Sequence, residues 1–336
     1  VPGPGDTAVI PVSETAEQET VMITADTTVT LDCSGKVEVA AGAHLYLEGT
    51  SYLKSEEGKL DGGGNITIKE DGELWWSGGL IDGNGLLTLE ENASLVIDTS
   101  SEVYPGVDLA RSMVNNGQVT VNDGELYLYG NINGTGTFEI SDGAYLSFDE
   151  GDYDIGGDFV NCGEVSIWDD ASVKFSADYR QEDTGSLALK VWGTDPSEYC
   201  KLNVTGEAYL DGKLEIDFLY YAPQLGDSFE ILTCDVRVGE FSSIVGGDEG
   251  IVLMPTYTDT GLTLTVSDGS APGEYVCAIL NEDGTYTKYT ALDDALEAVQ
   301  EGETRTILLL KDIEYASAII IKNKHITFDL NGYTLD

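Results

Sequence analysis

The chain has 336 residues, and its 61 acidic side chains outnumber its 16 Lys and Arg, which gives a formal charge of −45. A surface this acidic repels nucleic acid and anionic membranes, so we expect neither as a partner, and cations are its natural counterparts. No apolar run approaches the roughly 20 residues that a membrane helix needs, which predicts no direct membrane insertion. Forty Gly and eighteen Tyr favour strands broken by tight turns over helices.

The first twenty residues contain Pro2, Pro4 and Pro11 among Gly and acidic residues. This composition predicts that residues 1–20 are a linker or leading arm. From residue 21 onwards one pattern dominates, in which a strand is followed by an acidic or glycine turn and a second strand. The pattern occurs six times, at residues 37–47, 66–76, 87–97, 119–128, 138–148 and 165–175.

The spacing between the starts of these six stretches is irregular. A β-propeller keeps a stricter period, whereas a β-helix tolerates loops of variable length while its strands stay stacked. Alternation such as Val119-Thr-Val121 directs every second side chain to one buried face. We therefore predict an all-β fold over residues 21–267, a right-handed parallel β-helix, also called a β-solenoid.

The end of this region carries a second kind of sequence pattern. Residues 204–214 read V-T-G-E-A-Y-L-D-G-K-L, residues 226–232 read G-D-S-F-E-I-L, and residues 239–241 read G-E-F. This succession resembles the last coils of autotransporter-type passenger solenoids. The resemblance implies that a solenoid ends here, and it implies no chemistry.

A linker and a second module are predicted to follow. Residues 268–273 are rich in Gly, Ser and Pro, which is typical of a flexible linker. Thr290 is placed as an N-cap before an apolar stripe at helical spacing, and Gly302 follows as a stop, so we predict a helix over 291–300. Three further strands are predicted at residues 306–310, 318–321 and 326–330.

The closing sequence Asp329-Leu-Asn-Gly-Tyr-Thr-Leu335, after the helix and an Ile-rich strand, resembles the opening of pectate-lyase-like right-handed β-helix modules that are repeated in large surface proteins of Gram-positive bacteria. The resemblance implies that a second module begins over residues 274–336, with the helix as the cap of its first coil. It also implies an extracellular protein, secreted or attached to the cell surface.

Barely two coils of this second module are present in the sequence, so we expect an open edge with unpaired backbone groups. Such an edge pairs with a copy of the same chain or with an adjacent module of a longer chain. The side chains that we assign to this assembly edge are Ile326, Phe328, Leu330, Tyr333 and Leu335.

No motif assembles a catalytic site, so we expect the chain not to be an enzyme. Of the residue sets typical of the polygalacturonase family, only a generic Asp169-Asp170 pair occurs. His44 and His325 lie in strand patterns without flanking glycines, which indicates surface strand residues. A polysaccharide-acting β-helix enzyme remains the alternative, because glycoside hydrolysis needs two carboxyls at a set separation and the sequence does not choose between 61 candidates.

An acidic loop over residues 149–158 is the candidate metal site. Its carboxylates alternate along the chain as hard oxygen ligands of calcium do, although a solvated acidic loop explains the same pattern. Calcium is the only cofactor that the sequence suggests. The ligands that we assign are Asp149, Asp152, Asp154 and Asp158.

The five cysteines are scattered without the C-x-x-C spacing of zinc or thioredoxin-like sites. Their odd number leaves at least one thiol free. Small buried hydrophobic residues are the simplest interpretation. If the chain contains a disulfide, Cys200 and Cys234 are the pair that we predict.

Aromatic residues are the candidates for sugar stacking, provided that several face outward in register. In the Trp75-Trp76 pair one ring must point outward and the other inward, because strand side chains alternate. Filling of the core is the competing interpretation for each of them. The other residues in this set are Tyr127, Tyr129, Tyr145, Trp168 and Trp192.

These observations predict a structural or adhesive segment of a bacterial extracellular surface protein, which self-assembles end to end through open coils. Copies of the chain, adjacent modules, and host or cell-surface glycans are the expected partners. A polysaccharide-acting enzyme and a calcium-dependent carbohydrate-binding module are the alternative functions.

Overall fold

The computed structural model of the chain describes residues 3–12, 20–100, 106–149, 151–168, 171–246, 251–267, 275–281, 286–315 and 318–336. The chain divides into two compact units, Val1–Val266 and Ser267–Asp336. The first unit is a parallel β-solenoid, as the sequence predicts.

Each coil of the solenoid contributes one strand to each of three faces. Strands Lys59–Asp61, Asn65–Ile68 and Glu73–Trp76 make one such coil. Each of them pairs in parallel with the corresponding strand of the next coil, as Lys59 does with Leu80 on the first face. This stacking satisfies the backbone N–H and C=O groups of one coil with those of its neighbours.

The described strands of the three faces have the following bounds. The first face contains Thr20–Ile23, Lys36–Val39, Lys59–Asp61, Leu80–Ile81, Gly106–Leu109, Glu125–Leu128, Tyr145–Phe148, Glu164–Ile167, Ser186–Val191, Lys213–Phe218 and Ser243–Gly246. The second contains Thr27–Cys33, His44–Leu47, Asn65–Ile68, Leu87–Leu89, Met113–Asn115, Ile132–Gly134, Asp152–Ile155, Ser172–Phe175, Leu202–Val204 and Ser228–Thr233. The third contains Thr7–Ile10, the second half of Thr27–Cys33, Thr50–Leu53, Glu73–Trp76, Ser94–Asp98, Gln118–Asp123, Thr137–Ile140, Asp158–Asn161, Tyr179–Gln181, Glu207–Leu210 and Val236–Gly239.

Alternating apolar residues fill the space between the three faces. The strand Thr27–Cys33 shows the pattern, since each of its odd-numbered residues is buried and each even-numbered residue is partly exposed. Because neighbouring coils are in register, identical positions stack along the core. The rings of Phe138, Phe159 and Tyr179 stack in this way, with centroids 5.5 and 5.8 Å apart.

The six similar sequence stretches are corners of the coil, and they are not equivalent corners. Residues 37–47 and 165–175 join the first face to the second, 66–76 and 87–97 join the second to the third, and 119–128 and 138–148 join the third to the first. The number of residues in a coil is therefore the separation along the chain between two residues that stack on each other. Gly106 pairs with Glu125 and Lys213 pairs with Ser243, so the second of these coils is much the longer.

Residues 1–20, which we interpreted as a linker or leading arm, contain part of the solenoid. Strand Thr7–Ile10 pairs in parallel with residues 30–33 on the third face. Its alternation of exposed and half-buried residues is too short to stand out beside the prolines that suggested a linker.

Arg111 is a buried cation at the corner between the first and second faces, where it is 2% exposed. Its Nε donates to the carbonyl of Asp82 and its Nη2 to the carbonyl of Gly62, both at 2.9 Å. Burial lowers the pKa of Arg111, and the Asp61 and Asp82 carboxylates oppose that shift. The guanidinium thus joins three successive coils.

The first unit ends in a reversal of chain direction. Strand Val252–Thr258 leads to strand Gly261–Ser267, which pairs antiparallel with Ser228–Thr233 on the second face. An antiparallel strand covers an edge that would otherwise present unpaired backbone groups. The parallel stack of the second face therefore stops here.

The second unit contains a four-stranded sheet with the order Tyr286–Tyr289, Cys277–Leu280, Thr304–Leu309 and His325–Asp329. The first three strands are antiparallel, and the last two are parallel. Helix Leu292–Ala298 packs Leu292 and Ala295 into its core.

Two sequence predictions for this unit need correction. The helix lies within the predicted range 291–300, but Ala291 and not Thr290 is at its N-cap, and no side chain caps it. Residues 318–321 do not form a strand. Their apolar run lacks a strand partner within the described part of the unit, and Ile320 is 70% exposed.

Candidate binding site

Outward-facing side chains of the first face form columns, because the coils stack in register. One column contains Asp108, Tyr127, Ser147, Ser166 and Ala188, each paired with the next. On its two sides lie the column of Glu125, Tyr145 and Glu164 and the column of Tyr129, Asp149, Trp168 and Lys190.

Four aromatic residues lie in these columns, and we call them the aromatic strip: Tyr127, Tyr129, Tyr145 and Trp168. The Trp168 Nε1 donates to the Tyr145 hydroxyl at 3.1 Å. The rings of Tyr127 and Tyr145 meet edge to face, with centroids 6.4 Å apart. Tyr129 is 51% exposed and Trp168 is 37% exposed, so the strip presents aromatic surface to solvent.

Small residues under the strip explain why these rings pack together. Ser147 and Ser166 point outward from the sheet, yet each is only 2% exposed. The Trp168–Tyr145 hydrogen bond crosses the column to which these serines belong. Larger residues at the two serine positions would separate the rings.

Carboxylates surround the strip. The Tyr127 hydroxyl donates to Glu125 Oε2 at 2.7 Å, and Asp149 Oδ1 accepts a hydrogen bond from the Ser147 hydroxyl at 3.1 Å. Among the described residues, no side chain or backbone N–H donates a hydrogen bond to the Asp108 carboxylate. Burial, and then repulsion from the Asp149 carboxylate, raise the pKa of Asp108 above its usual range.

A lysine closes one end of the strip. The Lys190 ammonium lies 3.9 Å from the centre of the Trp168 ring and forms an ion pair with Asp217 on the next coil. Beyond it lies a polar cleft of about 400 Å³, whose lining includes Glu215, Asp217 and Tyr221. One face of the indole is therefore occupied by the cation, and a ligand would contact its exposed edge and the neighbouring tyrosines.

The four predicted calcium ligands do not converge. Asp149 belongs to the corner after the first face, Asp152 and Asp154 lie on the second face, and Asp158 begins a strand of the third. Asp154 accepts from Ser176 and forms an ion pair with Lys174 at 3.6 Å. Across the described residues, no group of three or more His, Cys, Asp or Glu side chains is placed to hold a metal ion.

Trp75 and Trp76 divide between the two sides of their strand, as predicted, with exposed fractions of 38% and 0%. Trp75 lies on the third face, away from the strip. Trp192 is half buried against the core. The sequence therefore identified the strip residues only within a larger aromatic set.

The remaining candidates have structural surroundings. The His44 ring stacks on Tyr46 at 4.1 Å, and its Nε2 is 2.7 Å from Thr67 Oγ1. His325 lies in the edge strand of the second unit. The Asp169-Asp170 pair lies outside the described residues.

The five cysteines, all within the described ranges, form no disulfide, so the predicted pairing of Cys200 with Cys234 is not present. Both are buried among apolar core residues. They therefore pack as small hydrophobic side chains, as the sequence predicts. Burial also raises the pKa of Cys33 to about 11, which disfavours a reactive thiolate.

Sequence reasoning missed the polar residues around the strip other than Asp149, and Asp108 shows why. Its strand, Gly106–Leu109, belongs to none of the six similar stretches. The coil register alone brings it beside Tyr127, and loops of variable length conceal that register in the sequence.

Within the described ranges, no helix has both the length and the apolar character needed to cross a membrane. In comparisons with known proteins, no family profile matches the chain and no curated protein is similar to it.

Proposed function

We propose that the chain is a structural and adhesive segment of a bacterial extracellular surface protein, and that its aromatic strip binds glycans. The observation that carries the proposal is that Tyr127, Tyr129, Tyr145 and Trp168 lie on one face of the solenoid, in three adjacent columns of outward-facing residues. Aromatic rings bind the apolar faces of sugars. Carboxylates accept hydrogen bonds from sugar hydroxyls, and the hydroxyls of Ser and Tyr both accept and donate them.

The shape of the site supports a polymeric ligand. Coils stack at roughly 4.8 Å, so the four strands that carry Asp108 and the aromatic strip, from Gly106–Leu109 to Glu164–Ile167, span roughly 14 Å along the solenoid. This length accommodates several sugar units in a row. A rigid stack of strands holds the columns at fixed spacing, which lowers the entropic cost of binding.

The charge of the site selects among glycans. Asp108, Asp149, Glu125 and Glu164 surround the strip, and Lys190 already pairs with Asp217. Polyuronates would be repelled, whereas neutral and amino-sugar polymers would not. Neutral or amino-sugar glycans of a host or cell surface are therefore the ligand class that we propose.

Two sequence resemblances support the extracellular assignment. The V-x-G-x-x-x-L-x-G-x-L segment over 204–214 is similar to passenger solenoids, and the closing 329–335 segment is similar to repeated surface β-helix modules. In the second unit, Thr304 pairs with His325 and Ile313 with Leu335, at nearly equal separations along the chain. Such equal spacing is expected when one coil of a solenoid stacks on the next.

Binding of the full chain to immobilised neutral, amino-sugar and uronic-acid polysaccharides tests the proposal. We expect binding to a member of the first two classes and none to the third. The double variant Tyr129→Ala, Trp168→Ala removes two rings and should weaken binding about 5- to 150-fold, since aromatic contacts contribute about 0.5–1.5 kcal/mol each.

Trp75→Ala is the matched control, because Trp75 is 38% exposed but lies on another face. Its affinity should equal that of the unmodified chain. The proposal fails if no polysaccharide of the panel binds, or if Trp75→Ala weakens binding as much as the double variant.

One observation favours glycoside hydrolysis as a second candidate function. Asp108, whose pKa is raised, and Asp149 are two carboxylates in different surroundings beside aromatic rings, and glycoside hydrolysis uses one carboxyl as an acid and a second as a carboxylate. Release of reducing sugars from a bound polysaccharide, abolished in Asp108→Asn, would support it. Stable binding without release would exclude it for that polysaccharide.

A further inference from the structure

The strand His325–Asp329 is the edge of the sheet in the second unit. Within the described residues it pairs on one side only, with Thr304–Leu309. The His325 N–H donates to the carbonyl of Glu303, and backbone groups in such a ladder point alternately to the two sides. The N–H and C=O groups of Ile326 and Phe328 therefore point away from the sheet, toward its open edge.

We propose that this edge pairs antiparallel with the same strand of a second copy of the chain, around a two-fold axis at Thr327. In that register Ile326 of each copy lies opposite Phe328 of the other. Their outward N–H and C=O groups then form the hydrogen-bonded pairs of an antiparallel ladder. Thr327 lies opposite its own counterpart, in a pair without backbone hydrogen bonds.

The side chains of the strand are self-complementary in this register. Ile326 and Phe328 are half buried against the core of the unit, so an aromatic residue meets a β-branched one on that face. On the outer face His325 lies opposite Asp329 of the second copy, twice per dimer. Hydrogen-bonding His–Asp, aromatic–β-branched and Thr–Thr pairs are all favourable across strands. A parallel in-register pairing would instead align His325 with His325 and Asp329 with Asp329.

Exposed apolar residues flank the strand at both ends. Ile321 precedes it and is 40% exposed, while Leu330 and Tyr333 follow it and are 47% and 39% exposed. The two-fold axis brings the flank before one strand alongside the flank after the other. Five residues were assigned to the assembly edge from the sequence. In the proposed dimer, Ile326 and Phe328 form the strand pairs, and Leu330 and Tyr333 lie in the flanking segment. Leu335 does not belong to the edge, because it pairs with Ile313 inside the unit.

This pairing uses each edge once, so it closes at a dimer and does not propagate. It thus differs from the end-to-end stacking that an open coil suggests from sequence. The inference concerns self-association alone, and it holds whether or not the aromatic strip binds glycans.

A cysteine placed on the axis tests the register directly. In Thr327→Cys of the full chain, the two thiols lie opposite each other at a separation suited to a disulfide. We expect mild oxidation to convert most of this variant to a covalent dimer. Thr304→Cys, on the neighbouring strand of the same sheet, is the control and should remain uncrosslinked under the same conditions.

A charge exchange provides the second test, measured by sedimentation velocity over a range of concentrations. Asp329→Lys removes the acceptor that faces His325 of the second copy in both cross-strand pairs, and it should weaken the dimer about tenfold. The double variant His325→Asp, Asp329→His restores both pairs and should restore the dimer. Glu297→Lys, on the exposed side of the helix, makes the same charge change away from the edge and should have no effect.

Each alternative has its own outcome. A chain that stays monomeric at its highest soluble concentration, or that grows beyond a dimer with concentration, overturns the proposal. Equal crosslinking of the Thr327→Cys and Thr304→Cys variants also overturns it, even if a dimer forms. Circular dichroism of every variant, compared with the unmodified chain, verifies that the fold is kept.

Discussion

The two units of this chain both contain parallel strand pairs, but they differ in how deeply the apolar side chains of those strands are buried. In the first unit, apolar residues stacked along three faces are almost all buried, and an antiparallel strand covers the last strand of the second face. In the second unit, a small core supports an edge strand whose inward residues Ile326 and Phe328 are only half buried. The contrast shows that repeated stacking supplies burial, and that a strand paired on one side only keeps its core-facing residues partly exposed.

The largest expected difference between the units is the effect of removing a phenylalanine. Phe159 is 1% exposed, and its ring contacts those of Phe138, Phe175 and Tyr179. Phe159→Ala should lower the free energy of unfolding of the first unit by about 3–5 kcal/mol. Phe328→Ala should cost the second unit about 1 kcal/mol, because the ring is half exposed.

Two probes separate these effects. All four tryptophans, Trp75, Trp76, Trp168 and Trp192, lie in the first unit, so urea unfolding followed by tryptophan fluorescence measures that unit. Hydrogen exchange of peptides from residues 286–315 and 318–336 measures the second. If Phe159→Ala and Phe328→Ala lowered the free energy of unfolding by similar amounts, the difference in burial between the two units would not determine their stability.

The sequence predicts the solenoid because its periodicity is local. A single stretch of two strands and a turn, such as residues 138–148, is enough to reveal the alternation. The coil register is not local, because it depends on loops that make some coils much longer than others. The aromatic strip and Asp108 depend on that register, so the sequence supplied the aromatic set without its arrangement. Thr7–Ile10 shows the same limit, since only its pairing with residues 30–33 distinguishes it from a linker.

Glycines at turns provide a second comparison of the units. Gly83 has φ +99°, and a Cβ there would lie 2.3 Å from the carbonyl oxygen of Gly62 on the preceding coil. Gly332, in the second unit, has φ +85°, and a Cβ there would contact nothing within 4 Å. The positive φ disfavours an L side chain at both positions. Only at Gly83 would the added Cβ also clash with the backbone of a stacked coil.

Gly83→Ala should therefore destabilise the first unit by about 3 kcal/mol, and Gly332→Ala the second by about 1 kcal/mol. The same fluorescence and hydrogen-exchange measurements detect the two changes. If Gly332→Ala were as costly as Gly83→Ala, close stacking of corners would not be the cause of the larger effect.

The smallest expected effects are electrostatic, and they have opposite signs in the two units. Burial and Asp149 raise the pKa of Asp108 in the first unit. Hydrogen bonds from the Thr334 N–H and hydroxyl, at 2.7 and 2.8 Å, lower the pKa of Asp312 in the second. Folding therefore favours the neutral form of Asp108 and the charged form of Asp312.

The stability that Asp108 contributes is present below its unfolded pKa of about 3.9 and is lost as pH rises through its folded pKa. The contribution of Asp312 is present above its unfolded pKa and is lost as pH falls through its folded pKa. At pH 7, Asp108→Asn should thus raise the stability of the first unit, and Asp312→Asn should lower that of the second. At about pH 2 both differences should shrink, because the carboxyls are then largely neutral. If both substitutions changed the stability at pH 7 in the same direction, the fold would not disfavour the charged form of Asp108. Asp108 would then lack the raised pKa that an acid in hydrolysis needs.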